Sequence, residues 1–197
     1  MSLPLPNDAQ VDALREVANI GCGHAANALS RLMSGRKVDL SIPRVQLGDA
    51  NVGALLGPEA PVVSASLGIR GELHGALLLV LPKGDATALE SMLLGGQPVA
   101  QAERDSVVCE VANIAASACL SALGRLTGWK LMPTVPTLRR GGTRDALALV
   151  MDGESDTGHG VVLEARFQAA TVPPVGGQLL LLLERDSARA LLARLGV

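Results

Sequence analysis

Glu16-Val17-Ala18-Asn19-Ile20 recurs unchanged as Glu110-Val111-Ala112-Asn113-Ile114, 94 positions further along a chain of 197 residues. Outward from this string, Leu29, Arg31 and Leu32 recur at the same shift as Leu123, Arg125 and Leu126. The surrounding periodicity predicts two long helices. The first runs from Asp8 to Met33, opened by Asn7 and Gln10 at capping-box spacing and stopped by Gly35. The second runs from Glu103 to Thr127 and stops near Gly128. The chain reads as a duplication.

The remainder of each half follows a similar order. Val62 to Ile69 and Ala76 to Leu81 read as strands, followed by a short helix from Asp85 to Leu94. In the second half Ala146 to Met151, Val161 to Phe167 and Leu179 to Leu183 read as strands, and Asp186 begins a final helix to Leu195. Gly95-Gly96-Gln97-Pro98 marks the boundary. Either copy alone is small for an independent core. The expectation is therefore one domain with internal pseudo-twofold symmetry, its repeats spanning about 1–98 and 99–197, with the strands in a single sheet.

Bulk properties exclude several classes of function. A net charge of -2 and a pI near 5.9 argue against a phosphate-backbone footprint, so no nucleic acid is expected as partner. The basic cluster Arg139, Arg140 and Arg144 reads as a solvated loop. The mean hydropathy of +0.34 invites a membrane reading, but Ala76 to Leu81 and Leu179 to Leu183 fall far short of the ~20 residues of a spanning helix. No membrane insertion is expected. The N-terminal stretch lacks the charged and apolar regions of a signal peptide. Cys22, Cys109 and Cys119 are odd in number and unspaced for C-x-x-C, which suits reduced thiols in helices of a cytoplasmic protein.

Each long helix has two contrasting faces. Val11, Leu14, Ala18, Ala25, Leu29 and Leu32 form a stripe that buries. Asp12, Glu16, Asn19, Gly23, Asn27 and Ser30 form a second row, polar or tiny throughout. The equivalent row in the second helix is Ser106, Glu110, Asn113, Ser117, Ser121 and Gly124. A Glu and an Asn three apart are ordinarily part of a solvated face. However, Asn costs roughly 0.6 kcal/mol against Ala in a helix interior, yet it stands mid-helix twice. Packing accounts for the Val, Ala and Ile of the repeated string but not for its Glu and Asn.

These residues resemble the CheC, CheX and FliY phosphatase family, whose signature is Asp or Ser, three residues, Glu, two residues, Asn, 22 residues, then Pro. Ser106, Glu110, Asn113 and Pro136 fit it fully; Asp12, Glu16 and Asn19 fit, but Pro43 comes one residue late. Asn19-Ile20-Gly21-Cys22-Gly23-His24-Ala25-Ala26 is also similar to the family's N-I-G-x-G-H-A-A. Two sites, no long segment before Asp8 and no added domain after Leu195 match the stand-alone CheC type. The resemblance implies an α+β fold: a pseudo-twofold duplicated unit whose strands form one mainly antiparallel sheet, with two long exposed motif helices.

It also implies an activity, dephosphorylation of a phosphorylated CheY-type response regulator. Asn19 and Asn113 would orient water, Glu16 and Glu110 would contact the regulator's lysine, and Asp12 and Ser106 would support them. Pro43 and Pro136 complete the motifs. No cofactor of its own is implied, since Mg²⁺ would come with the regulator. The receptor deamidase CheD is a further implied partner, and the alternative function is a non-enzymatic adaptor for CheD or the phosphorylated regulator. A flagellar-switch component is disfavoured by the missing extra domain. Gly21 to Ala26 follows no strand, which excludes a dinucleotide fingerprint. His24, His74 and His159 lack ligand spacing for zinc. Asp152 to Asp156 lacks the calcium-loop pattern and reads as a hairpin loop.

Overall fold

The Asn7 side chain accepts the Gln10 backbone N–H while Gln10 accepts that of Asn7, so the first helix starts where its capping box directs. The computed structural model describes residues 6–48, 52–151 and 158–197. The first half runs α1 (Asp8–Leu32), β1 (Val38–Leu40), β2 (Arg44–Leu47), α2 (Val52–Leu56), β3 (Pro61–Arg70), β4 (Gly75–Pro82) and α3 (Lys83–Leu93). The second repeats that order: α4 (Gln101–Thr127), β5 (Met132–Pro133), β6 (Thr137–Gly142), α5 (Thr143–Met151), β7 (His159–Ala169), β8 (Val175–Glu184) and α6 (Arg185–Leu195). Gly128 ends α4 in the left-handed region at φ 78°, and Gly95 and Gly96 turn the chain after α3 at φ 72° and 71°.

Among the described residues the strands form one eight-stranded antiparallel sheet in the order β1-β7-β8-β4-β3-β5, with β2 also on β7 and β6 on β3. The expected antiparallel α+β architecture is borne out. The short strands of each half lie against a long strand of the other. Two hydrogen bonds repeat the exchange: Asp85 of α3 accepts the Gly176 N–H at 2.7 Å, and Ser187 of α6 accepts the His74 N–H at 2.7 Å.

Both sheet faces are covered, which explains the uninterrupted apolar runs of β4 and β8. Leu77, Leu79, Leu81, Leu179, Leu181 and Leu183 face a large core shared with α1, α3, α4 and α6. Leu78, Val80, Leu180 and Leu182 face a smaller core closed by Val52 and Leu55 of α2 and Ala146 and Val150 of α5. Each fully buried leucine contributes roughly 1.5–3 kcal/mol.

Three expectations need correction. Ala146 to Met151 is not a strand but the body of α5. Its buried residues, Thr143, Ala146 and Val150, are spaced by three and four, and the Asp145 carboxylate accepts the Gly142 N–H at the helix start. Arg139 and Arg140 lie in β6 and Arg144 in α5 rather than in a loop. The third concerns length: α4, with 27 residues and a window hydropathy of 1.6, is long and apolar enough to cross a membrane. Half of that window is buried in the protein's own core. The acidic stretch 152–156 lies outside the described residues.

A buried carboxylate ties the sheet edge together. Glu164 of β7, 1% exposed, accepts Arg44 of β2 at 2.6 Å, Gln178 of β8 at 3.0 Å and Arg166 at 3.3 Å. Burial alone would raise its pKa, but the hydrogen bonds from Arg44 and Gln178 outweigh that and leave it below the ordinary carboxylate value. The resulting stability is fully present above the unfolded-state value of about 4.3 and is lost as pH falls through the lowered folded value. Glu164→Gln is expected to cost about 1.5–3 kcal/mol at neutral pH. Denaturant melts from pH 7 to 3 should show a shallower acid decline for the variant; equal slopes would contradict this role.

Candidate functional site

The stripe-and-row pattern of the two long helices decides where their polar groups go. Leu14, Ala18, Ala25 and Leu29 are buried, as are Val108, Val111, Ala112 and Cys119 on α4. No member of either polar row is buried. Asp12, Glu16 and Asn19 are exposed on α1; Ser106 and Glu110 are exposed on α4, where Asn113 is half-buried. Among the described residues, the side chains of Glu16, Asn19, Glu110 and Asn113 make no hydrogen bond or ion pair within the chain. Asp12 pairs with Arg15 at 2.8 Å, and the Ser106 hydroxyl donates to the Ala102 carbonyl at 2.9 Å. Neither supporting residue bonds to its neighbouring Glu or Asn.

The helices pack directly on each other where side chains are smallest. A Cβ at Gly21 would lie 2.8 Å from the Cys119 sulfur and 3.6 Å from a Leu123 methyl, so the absence of a side chain sets the approach. All three cysteines are free and lie in helices, as expected. Burial, with the Glu164 carboxylate adding to it, pushes the Cys22 thiol up to about 12. Burial, with Cys22 adding to it, also holds the Cys119 thiol well above its ordinary value. Such thiols are inert packing groups.

Both motif prolines directly precede an edge strand: Pro43 is buried before β2, and Pro136 is half-buried before β6. The registers around them match. Between Leu40↔Phe167 and Arg44↔Glu164, three residues oppose two, an extra residue on the edge strand. Between Pro133↔Ile69 and Thr137↔Ser66 the same occurs. These are β-bulges, which bend an edge and turn a side chain out of the ladder. In each, a hydroxyl residue takes over the lost bonds. Ser41 N–H donates to the Arg166 carbonyl and its Oγ accepts the Arg166 N–H; Thr134 does the same with Gly68. The late Pro43 thus occupies the same place in its bulge as Pro136.

Sequence reading missed one charged network. Glu90 of α3, 2% exposed, accepts Arg104 of α4 at 3.0 Å and Arg140 of β6 at 2.7 Å, and Arg140 also meets Asp105 at 2.7 Å. Burial pushes Asp105 up, but hydrogen bonds from Gln101 and Arg140 leave its pKa below the usual value. The network fixes the first turns of α4 against the sheet. It escaped notice because its members are far apart in sequence and unremarkable singly. A cleft of about 710 Å³ beside it is lined by Glu59, Lys83, Arg104 and Arg140 and contains none of the motif residues. The motif residues lie on the unburied faces of α1 and α4, away from this cleft. Among the described residues no group of three His, Cys, Asp or Glu is placed to hold a metal.

Comparison with known proteins adds four likenesses. A model of the CheC-like family matches residues 10–47. The CheY-P phosphatase CheC of Bacillus subtilis is 35% identical over 66% of this chain and 65% of its own length. The match thus spans just under two thirds of that relative. Among solved structures, Thermotoga maritima FliY superposes with a TM-score of 0.71 at 19% identity, covering 97% of this chain and 98% of that one. A chain in the CheX–CheY–BeF3–Mg²⁺ complex of Borrelia burgdorferi gives 0.55 at 16% identity, covering 88% and 99%. At such identities the structures speak for the fold alone.

The Gly21 contact yields a test of how the two ridges are held. Gly21→Val places branched carbon where the Cys119 sulfur stands, and overpacking of this kind costs about 1–3 kcal/mol. Thermal unfolding should show the loss, and Cys119→Ala in the same chain should return part of it. A variant as stable as the parent would mean that the helices need not approach so closely.

Proposed function

We propose, on the premise that this chain is CheC-like, that it is an aspartyl-phosphate phosphatase acting on a CheY-type response regulator in the cytoplasm. The observation that carries the reading is the pair of outward-facing Glu/Asn couples, Glu16 with Asn19 and Glu110 with Asn113, which no group among the described residues engages. A buried carboxamide or carboxylate finds its partner inside the fold; these four are left for a partner outside it.

Hydrolysis adds water to phosphorus and releases inorganic phosphate from the regulator's aspartate, whose carboxylate is the leaving group. Such transfer calls for positioning and charge stabilisation more than for a protein nucleophile. The Asn19 or Asn113 carboxamide accepts a hydrogen bond from water through its oxygen and donates through its NH₂, which can hold water in line with phosphorus. Glu16 or Glu110 meets the regulator's lysine and fixes the docking angle. The regulator brings its own Mg²⁺, which supplies charge neutralisation at the phosphoryl group. The match to a CheY-P phosphatase over 65% of that relative's length supports the substrate class. The duplication supports two sites in one domain, and CheD remains a proposed second partner.

Asn19→Ala with Asn113→Ala is expected to lower accelerated phosphate release from phosphorylated CheY about 100-fold, while the melting temperature stays unchanged because both positions lie outside the core. Each single variant should keep part of the acceleration. Release by the double variant at the parental rate would refute the mechanism. Binding of CheD or phosphorylated regulator by the parent chain, with no acceleration, would mark an adaptor instead.

A further inference from the structure

Ile42 is 81% exposed and Val135 is 85% exposed, large aliphatic side chains standing in solvent at equivalent places in the two halves. Each is the residue before a motif proline and sits in the β-bulge described above, after the hydroxyl residue that repairs the ladder. The fold does not account for them. Neither belongs to either core cluster, and the bulge turns each away from the sheet.

Two contacts set their height along the motif helices. Arg140 of β6 meets Asp105 of α4 at 2.7 Å. From Asp105 to Asn113 the helix climbs eight residues, about 12 Å, and from Arg140 back to Pro136 the strand covers four, about 13 Å. By this count Val135 and Pro136 come to about the height of Asn113. In the first half, Ser30 of α1 donates to the Arg36 carbonyl at 2.6 Å. Eleven residues down the helix to Asn19 is about 16 Å, and five residues of extended chain from Arg36 to Ser41, about 17 Å, reach the same level. Ile42 follows Ser41. By this count each half carries an exposed aliphatic residue, in the bulge of its edge strands, at about the height of its Asn.

We infer that Ile42 and Val135 are the apolar docking contacts of the two sites, each seating against the phosphoaspartate-bearing face of a response-regulator receiver domain. The inference rests on the proposed function and assigns residues that the motif does not contain. The polar rows have little apolar surface, being Asp, Glu, Asn, Ser and Gly throughout. Charged and amide groups at such a surface give orientation and partner choice more than affinity. A buried aliphatic anchor next to them supplies the missing term. Because a regulator meets one ridge at a time, each anchor serves its own Asn.

That pairing makes the test specific. Ile42→Ser is measured in the Asn113→Ala background, where only the first site works, and again in the Asn19→Ala background. Val135→Ser is measured in the same two. The readouts are KM and kcat for phosphorylated CheY, the Kd for beryllofluoride-loaded CheY, and the melting temperature. Ile42→Ser is expected to raise KM about tenfold, the scale of one interface anchor, with Asn113→Ala and to leave it unchanged with Asn19→Ala. Its effect on Kd is the same in both, because the Asn substitutions remove water positioning and not docking. Val135→Ser should show the reverse, with kcat and melting temperature held in both cases. Ile42→Val and Val135→Ile should retain parental KM. Unchanged KM in the matched backgrounds, with parental acceleration intact, would overturn the anchors and leave the phosphatase reading standing. So would a rise in KM that ignores the background. A parental chain that neither binds nor accelerates would overturn both.

Discussion

Backbone pairing across the duplication is the constraint on which the rest of this structure depends. β1 and β2 cannot complete a ladder within their own half; their partner is β7 of the other, while β5 and β6 require β3 of the first. An unpaired edge exposes a row of donors and acceptors, so neither half is satisfied alone. The exchange sets β4 against β8 at the sheet centre and places α1 and α4 side by side over one core. With the helices so placed, their apolar stripes are consumed, and the Glu/Asn rows are what remains outside.

Close approach then does the finer positioning. Gly21 lets α1 settle on Cys119 of α4, and the buried Glu90 holds Arg104 and Arg140 so that the start of α4 is tied to β6. A buried carboxylate with two guanidinium partners is costly to leave unpaired, which makes it a device for holding one arrangement. Among the described residues no equivalent ion pair ties α1 to β2. The two halves are therefore alike in motif and bulge but differ in support, and Asn113 is more enclosed than Asn19.

Much of this was readable before any coordinates. Both long helices, the capping box, the turn at Gly95-Gly96, the burial stripes and the exposure of Glu16, Asn19 and Glu110 follow from periodicity and turn chemistry. The reading failed where an apolar run was short. Ala146 to Met151 contains too few residues to separate a period of 2 from one of 3.6, and the buried positions of α5 show the latter. It also passed over β1, β2, β5 and β6, which are brief, broken by a bulge and stabilised only by strands from the other half. The Arg140 network was hidden for the same reason: 50 residues separate its ends, Glu90 and Arg140.

The amino-acid order by itself determined which residues repeat, which helix faces bury and which residue types face outward, because helix periodicity and capping are local properties of consecutive residues. Only the tertiary structure decided that the halves exchange edge strands, that both motif prolines stand in matching bulges, and that Ile42 and Val135 stand exposed in those bulges. Those relations depend on pairing register between distant segments, and register is set by two burying faces and a closed hydrogen-bond ladder rather than by any one stretch of chain.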